Sequence, residues 1–262
     1  MGDGVMLNKL RDAIEKKQYA IGTFLGAANP SIVEIMGYTG LDFVVIDTEH
    51  GPYDTMPMSD LIQAAESKGI SPLVRIADIT HKEMQRALDN GAEGIIIPCL
   101  KSIDDFRKVV ELGKFAPLGN RGFIKGRGSG FGNEPWASGT LTEYMENSND
   151  KVLLLPQCET MEALENIEEI VQIEGIDGIF IGPFDLSICM GIPGQFEAPE
   201  FTEAVDKILR ACKQAGKLCM TFTTTPAEAK KYIYKGFDAV ANSIDTIVFA
   251  QAYKSMVKEI RG

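Results

Sequence analysis

Eight short runs of apolar residues, separated by amphipathic stretches, constrain the fold of this chain more than any other feature of its sequence. Several of the runs, such as DFVVID, GIIIP, KVLLLP and GIFIGP, are apolar almost throughout. Continuous apolarity is typical of strands that are buried on both faces, as in a parallel sheet covered by helices. We predict strands at Ile21–Leu25, Phe43–Ile46, Pro72–Ile76, Gly94–Pro98, Val152–Pro156, Gly178–Ile181, Leu218–Thr221 and Ala239–Ala241.

Helices are predicted in the segments between the strands. Gly91 and Gly216 follow two of these segments at the position of a helix C-terminal cap. Strands and helices that alternate eight times favour a closed (β/α)8 barrel over an open sheet, and one such barrel takes about 250 residues. We therefore predict a single domain covering residues 1–262. The predicted helices are Leu7–Lys17, Ser31–Gly37, Met58–Lys68, Lys82–Asn90, Ile103–Gly113, Thr160–Ile170, Phe201–Ala215, Ala227–Lys235 and Thr246–Ile260.

Charge and cysteine content limit the classes of partner. The formal net charge of −11 repels phosphate backbones and anionic lipid, so we expect neither nucleic acid nor a membrane as a partner. No apolar run approaches the roughly 18 residues of a membrane span, and no signal peptide is recognisable. The cysteines form no CxxC pair, and Cys99, Cys158 and Cys219 lie in or beside apolar runs. This pattern is typical of buried free thiols, so we expect a cytoplasmic protein.

Polar side chains follow or end four of the predicted strands. In a (β/α)8 barrel the reactive groups lie at the carboxyl ends of the strands, which meet at one face. We therefore expect these side chains to gather at a single rim. They are Asp47, Glu49 and His50 after the second strand, Arg75 in the third, Gln157 and Glu159 after the fifth, and Asp185 after the sixth.

Glu159 and Asp185 provide two carboxylates after adjacent strands. The chain has only two histidines, too few for zinc sites built on three histidines or on two histidines and a cysteine. Two carboxylates would instead make an all-oxygen site, which suits Mg²⁺, Mn²⁺ or a similar hard ion. Taken singly, each carboxylate could cap the helix that follows it. Their position on neighbouring strands favours the metal site.

His50 and Arg75 are the remaining candidates for chemistry. A histidine titrates near neutral pH, and His50 lies in a rim loop, so we predict that it transfers protons; His81 is interpreted as a surface residue or helix start. An arginine in an apolar strand needs an anion. For Arg75 that anion is either a structural carboxylate such as Asp47 or an oxyanion of the substrate. No lysine ends a strand, so a Schiff-base mechanism is not indicated.

The segment from 117 to 140 is too rich in glycine for a regular element. Its spacing matches neither a dinucleotide-binding motif nor a P-loop. We interpret it as a mobile lid or a subunit-contact loop rather than a phosphate-binding loop, since long irregular loops are often functional.

Five separated motifs resemble those of the class II, metal-dependent pyruvate aldolases of the HpcH/HpaI family, which includes 4-hydroxy-2-oxoheptanedioate aldolase. They are VVIDTEHGP, LVRI, LLPQCET, EGIDGIFIGPFDLS and GFDAVANSID, in the family's order and within a resemblance that runs from about Gly22 to Met256. The resemblance implies cleavage of a 4-hydroxy-2-oxo acid to pyruvate and an aldehyde through a metal-stabilised enolate, as in the catabolism of aromatic or sugar acids. It also implies a hexamer, a trimer of dimers that exchange the last helix.

The same resemblance implies roles for individual residues. His50 would be the catalytic base and Arg75 would stabilise the transition state, while Asp89 would raise the basicity of the histidine. Glu159 and Asp185 would bind Mg²⁺, Mn²⁺ or Co²⁺. The contacts to the pyruvate end of the substrate would come from Gln157 and from the backbone at Phe184 and Asp185.

Two departures from the family pattern concern the second substrate. Phe184 stands where the family usually has a small residue, and the glycine-rich loop also differs. Three other functions stay open: an oxaloacetate decarboxylase-type reaction through the same enolate, an acyl-CoA lyase, and a barrel without catalytic activity that serves as a binding protein.

Overall fold

The computed structural model describes residues 8–51 and 55–262, and its centre is a closed barrel of eight parallel strands. The strands pair in sequence order, and the last pairs with the first. Their bounds are β1 Ala20–Leu25, β2 Phe43–Asp47, β3 Ser71–Arg75, β4 Gly94–Ile97, β5 Leu153–Cys158, β6 Gly178–Ile181, β7 Leu218–Thr223 and β8 Ala239–Ile244. The predicted (β/α)8 barrel and all its strands are confirmed.

Helices surround the barrel. They are α1 Lys9–Lys17, α2 Pro30–Met36, α3 Thr55–Ser67, α4 His81–Asp89, α5 Ile103–Gly113, α6 Leu141–Lys151, α7 Met161–Glu165, α8 Ile167–Ile170, α9 Pro183–Cys189, α10 Pro199–Gln214, α11 Pro226–Lys235 and α12 Asp245–Arg261. No helix among the described residues is long and apolar enough to cross a membrane.

The helix predictions were wrong in three places. Two helices were not predicted: α6, a polar helix that begins with a capping box between Thr140 and Glu143, and α9, a short helix that begins at Pro183. Both lack the long apolar stripe on which the predictions relied. The predicted helix Thr160–Ile170 is instead two short helices, α7 and α8, which meet at Asn166. The predicted start at Leu7 lies outside the described residues.

Strand parity decides which side chains enter the barrel. Along β5, Leu153 and Leu155 pack inside the barrel, whereas Leu154 packs against the surrounding helices. Because successive side chains of a strand point to opposite faces, Gln157 shares the inward parity of Leu155. The strand itself thus directs an amide towards the barrel axis at its carboxyl end.

One end of the barrel is closed by α1. Leu10 of this helix is fully buried and packs with Ala13 and Ile14 against the residues that fill the barrel interior. The Asn8 side chain caps α1 and donates to the backbone oxygens of Glu93 and Lys151. The amino end is therefore sealed, which leaves the carboxyl end as the open face.

The last helix leaves much of its apolar surface uncovered. Apart from Asp245 in its first turn, none of its side chains is buried. Its principal packing within the chain is on the neighbouring strands β1 and β8. The exposed apolar side chains are Ile247, Val248, Phe249, Tyr253, Met256, Val257 and Ile260. The exchange of this helix between subunits stays a prediction.

The five cysteines are all free. Cys158 and Cys219 are buried as predicted, and burial raises the pKa of each thiol. The interpretation of Cys99 as a buried thiol is wrong, since it is exposed just beyond the end of β4. There the backbone turns with a positive φ of 60°, which carries the residue out of the strand.

The glycine-rich segment contains two short 3-10 helices, Arg127–Gly132 and Pro135–Ala137. Arg127 fastens it to the amino end of the barrel, with an ion pair to Glu66 at 2.8 Å and a hydrogen bond to the backbone oxygen of Asn90. None of its residues lines the cavity at the carboxyl end, so it is not a lid over that cavity. Its role in subunit contact stays a prediction.

Candidate active site

A cavity of about 360 Å³ opens at the carboxyl end of the barrel. Its volume is typical of sites for small molecules. Five polar side chains, each from a different strand, helix or loop, enter it among aromatic rings. The lining residues are Phe24, His50, Arg75, Gln157, Phe180, Gly182, Pro183, Phe184, Asp185, Phe222, Thr224, Ile244 and Ile247.

Arg75 is held rigidly at the base of this rim. Asp47 lies opposite it in the register of β2 and β3, and accepts hydrogen bonds from its Nε at 2.8 Å and its Nη2 at 2.6 Å. Its Nε also lies 3.2 Å from Glu49, and the guanidinium stacks 4.9 Å above the ring of Phe24. Burial lowers the pKa of Arg75, but the carboxylates of Asp47, Glu49 and Glu159 outweigh it and raise the pKa overall. Asp47 is thus the structural partner that the sequence suggested for Arg75, and the guanidinium still lines the cavity.

His50 lies on the turn that follows β2. The backbone N–H groups of Glu49 and His50 donate to the carboxylate of Asp47, which fixes the turn. The imidazole is 70% exposed, and its Nε2 lies 3.8 Å from an oxygen of Glu49. The ring is therefore accessible to a substrate while its backbone is anchored.

Glu49 is the functional candidate that sequence analysis assigned to the rim without a role. Its carboxylate lies between Arg75 and His50. Burial is the largest cause that raises the pKa of Glu49; Arg75 and His50 oppose the rise, while Asp47 and Asp185 add to it. The signal available in the sequence was its place in DTEHG, directly before the histidine.

Gln157 and Glu159 form a buried pair at the end of β5. The amide of Gln157 donates to Oε2 of Glu159, and Oε1 of Glu159 accepts the backbone N–H of Cys99 at 2.6 Å. A Cβ at Gly182, directly after β6, would lie 2.6 Å from Oε2 of Glu159, so a larger residue there would require the Glu159 side chain to shift. The alternative role of Glu159 as a helix cap is wrong, because Thr160 caps α7.

Asp185 lies in the first turn of α9, after β6. No side chain caps this helix, so the capping alternative is wrong here too. Burial is the main cause that raises the pKa of Glu159, and the charges of Asp185 and Glu49 raise it further. The Cys99 amide and Arg75 oppose this rise. Glu49, Glu159 and Asp185 thus share one small region with Arg75, which Asp47 already engages.

This donor set fits a hard divalent cation. Glu159 and Asp185 offer carboxylate oxygens, and Oε1 of Gln157 is buried without a hydrogen-bond partner in the structure. A cation would offset both the burial of Glu159 and its repulsion from neighbouring carboxylates. No group of three or more His, Cys, Asp or Glu in the described ranges is arranged to hold a metal. Two protein ligands would leave coordination positions for substrate and water, as is common for Mg²⁺.

Asp89 is the predicted site residue that the structure does not bring to this rim. It is the last residue of α4, which runs back to the amino end of the barrel, and it pairs with the buried Arg121 at 3.0 Å. Among the described residues, the carboxylate paired with His50 is Glu49. The predicted action of Asp89 on His50 therefore has no support from contacts within one chain.

Known proteins resemble the chain over nearly its whole length. The family model described as HpcH/HpaI aldolase/citrate lyase matches residues 20–252. A hydroxypyruvate/pyruvate aldolase from Cupriavidus necator is 32% identical, over 97% of this chain and 93% of the relative. A 4-hydroxy-2-oxo-heptane-1,7-dioate aldolase from Salmonella dublin is also 32% identical, over 96% and 94%.

A solved structure agrees with these matches. The HpcH/HpaI aldolase from Desulfitobacterium hafniense superposes with a TM-score of 0.88 at 32% identity, and the match covers 96% of each chain. Enzymes of this family generally depend on a divalent metal. The chain therefore belongs to the HpcH/HpaI aldolase/citrate lyase family, and its enzyme class is that of an aldolase, an aldehyde-lyase.

Proposed function

We propose that this enzyme reversibly cleaves a 4-hydroxy-2-oxo acid to pyruvate and an aldehyde, with Mg²⁺, Mn²⁺ or Co²⁺ held by Glu159 and Asp185. The observation that carries the proposal is the convergence of metal-type oxygen donors, an arginine and an accessible histidine around one cavity. The relatives named as pyruvate and heptanedioate aldolases support this substrate class.

The metal, when bound, supplies Lewis-acid polarisation of the keto oxygen. Gln157 lies beside Glu159 and is poised to contact the pyruvate end of the substrate, as are the backbone groups at Phe184 and Asp185. Contacts to both the carboxylate and the keto group would restrict the rotation of a bound 2-oxo acid and so orient it for reaction.

His50 accepts the proton of the C4 hydroxyl in the cleavage direction. The C3–C4 bond then breaks, its electron pair enters the pyruvate enolate, and the aldehyde leaves. A proton returned to C3 completes pyruvate. The imidazole is suited to this transfer because it is exposed at the rim.

Arg75 stabilises the oxyanion of the enolate. Its orientation is fixed in advance by Asp47, Glu49 and the ring of Phe24. A donor that is already oriented loses little free energy to reorganisation as charge develops, which makes it effective in the transition state.

We also propose a homo-oligomer, a hexamer arranged as a trimer of dimers, and a cytoplasmic location. The uncovered apolar side chains of α12 support subunit contact, since apolar patches of this kind mark interfaces. The five free cysteines support a reducing compartment.

Deuterium exchange of pyruvate tests the proposed half-reaction without the second substrate. Pyruvate would be incubated in D₂O with the enzyme and Mn²⁺, Mg²⁺ or EDTA, and the methyl signal followed by NMR. We expect exchange with metal and none with EDTA.

Two matched variants assign the exchange to the site. Glu159→Gln should abolish exchange, whereas Glu162→Gln, an exposed position in α7, should retain it. Absence of exchange with every metal would refute the proposal, and parallel assays of acyl-CoA cleavage would then test the competing lyase function.

A further inference from the structure

Much of the cavity wall is apolar and carries no group that could bind a second charged end of a substrate. Aromatic and aliphatic side chains enter from β1, β6, β7, β8 and from the first turns of α9 and α12. They are Phe24, Phe180, Phe184, Phe222, Ile244 and Ile247. The metal ligands and Arg75 account for the pyruvate end, so this wall is the surface left for the aldehyde end.

Four of these rings form a continuous aromatic wall, defined here as Phe24, Phe180, Phe184 and Phe222. The ring centroids of Phe24 and Phe180 are 6.0 Å apart, and those of Phe24 and Phe222 are 5.5 Å apart, both edge to face. Phe184 extends the wall outward at 6.1 Å from Phe222. Such spacings are those at which aromatic rings attract one another, so a flat ligand ring can join the set.

Phe184 is held in place from behind. Phe196 packs against it edge to face with centroids 5.0 Å apart, while 44% of the Phe184 residue surface stays exposed. Phe196 itself does not line the cavity. Phe184 therefore presents a supported ring face to whatever binds in the cavity.

The charges around the cavity disfavour an anionic aldehyde. Arg75 is the only lysine or arginine among the described lining residues, and Asp47 and Glu49 already engage it. Asp185 lines the same space, and Glu159 lies beside Gln157. A carboxylate at the aldehyde end would lose water without gaining a cation, which is costly.

We infer that the aldehyde subsite takes an uncharged aldehyde with a flat apolar group, aromatic or unsaturated, and that Phe184 and Phe222 determine this preference. The inference rests on the proposed aldolase function and adds the chemical class of the second substrate. It separates this enzyme from its heptane-1,7-dioate relative, whose named substrate carries a carboxylate at each end.

Aldol addition to pyruvate with three aldehydes tests the inference. Benzaldehyde, butanal and succinic semialdehyde would be compared by kcat/KM at saturating pyruvate and Mn²⁺, with products measured by liquid chromatography. We expect benzaldehyde to exceed succinic semialdehyde by at least roughly tenfold, with butanal between them, since apolar pockets discriminate on this scale.

Variants test whether Phe184 and Phe222 determine the aldehyde preference. Phe222→Leu and Phe184→Leu should each lower the benzaldehyde-to-butanal ratio several-fold, whereas Phe123→Leu, which is exposed in the glycine-rich segment and does not line the cavity, should keep it. Ile247→Lys places a cation at the cavity and should raise the rate with succinic semialdehyde relative to butanal. Val248→Lys is the matched control, because its neighbouring position is exposed but does not line the cavity.

The outcomes separate the inference from the proposed function. Metal-dependent pyruvate exchange with a preference for succinic semialdehyde would overturn the inference and leave the aldolase function intact. Equal ratios in wild type and both wall variants would also overturn it. If the wild-type enzyme shows no metal-dependent exchange of pyruvate, the aldolase function and the inference are both refuted.

Discussion

The two ends of the barrel differ in how many cations accompany their buried carboxylates. At the amino end, Glu93 accepts the Lys9 backbone N–H and the Ser71 hydroxyl, and Lys9 and Lys151 lie 3.4 and 3.3 Å away. Asp177 at the same end pairs with Arg11 and with the buried Lys114. Glu93 and Asp177 therefore have two cations each.

At the carboxyl end the ratio is reversed. Glu49, Glu159 and Asp185 lie within electrostatic range of one another, with Arg75 as the lysine or arginine that lines the cavity. Burial and mutual repulsion raise the pKa of both glutamates. The amino end is therefore built for stability, whereas the carboxyl end keeps unbalanced negative charge that a divalent cation would offset.

The largest expected effect is on the amino end. Glu93→Ala should lower the free energy of unfolding by roughly 3–5 kcal/mol, because it removes a buried carboxylate from an ionic network and leaves the buried Ser71 hydroxyl without its acceptor. Urea denaturation measures the change, with the exposed Glu15→Ala as control. A loss no greater than that of the control would show that the amino end is not the stabilising one.

Arg75→Ala should affect catalysis more than folding. Removal of one preorganised donor to a developing oxyanion lowers turnover by roughly 10²–10³. Pyruvate deuterium exchange under metal saturation measures it, and circular dichroism checks the fold. Activity near that of the wild type would refute a role for Arg75 in stabilising the enolate and leave it as a structural partner of Asp47.

Gly182→Ala should weaken metal binding. The new methyl would lie 2.6 Å from Glu159 Oε2 and 2.8 Å from Gln157 Nε2, so the pair must shift. Displacing ligands and their supporting groups typically costs roughly 10- to 100-fold in metal affinity. Titration with Mn²⁺ by electron paramagnetic resonance measures the affinity. Unchanged affinity in a folded variant would argue against Glu159 as a ligand.

Glu49→Gln should stabilise the metal-free protein by an amount that depends on pH. The pKa of Glu49 is raised in the folded state, so wild-type stability falls as pH rises from 4.5 through the folded pKa. Glutamine does not ionise, so the stability of the variant does not fall in this pH range for the same reason. Its advantage, roughly 1 kcal/mol by analogy with other functional sites, should be present at pH 8 and absent below pH 4.

Chemical denaturation in EDTA at several pH values measures that difference. A variant that is less stable than wild type at pH 8 would mean that the ion pair between Glu49 and Arg75 outweighs burial. The difference in charge balance between the amino and carboxyl ends would then be smaller than the number of carboxylates and cations implies.

The barrel and most of its rim were predictable because strand parity and apolar runs are local properties. Apolarity along β2, β4, β5 and β6 indicated burial on both faces, and the residues after each strand were certain to share one end. Short or polar elements such as α6 and α9 were missed because local propensity is weak without an apolar stripe.

Several decisive contacts depend on positions that no local pattern relates. Asp47 meets Arg75 because β2 and β3 pair in that register, and a shift of one residue would separate them. Asp89 was assigned to the active site by resemblance, yet the direction of α4 carries it to the opposite end. Glu49 acquired its position between Arg75 and His50 only when the turn after β2 folded.

The aromatic wall is the clearest product of tertiary structure. Phe24 and Phe222 belong to β1 and β7, far apart in sequence, and their rings come into contact only when the barrel closes. The sequence alone determined the barrel and the polar side chains that gather at its carboxyl-end rim, because these follow from periodicity and from the position of residues at strand ends. Closure and register decided which charges are balanced and which side chains line the cavity, because such contacts join residues that are distant along the chain.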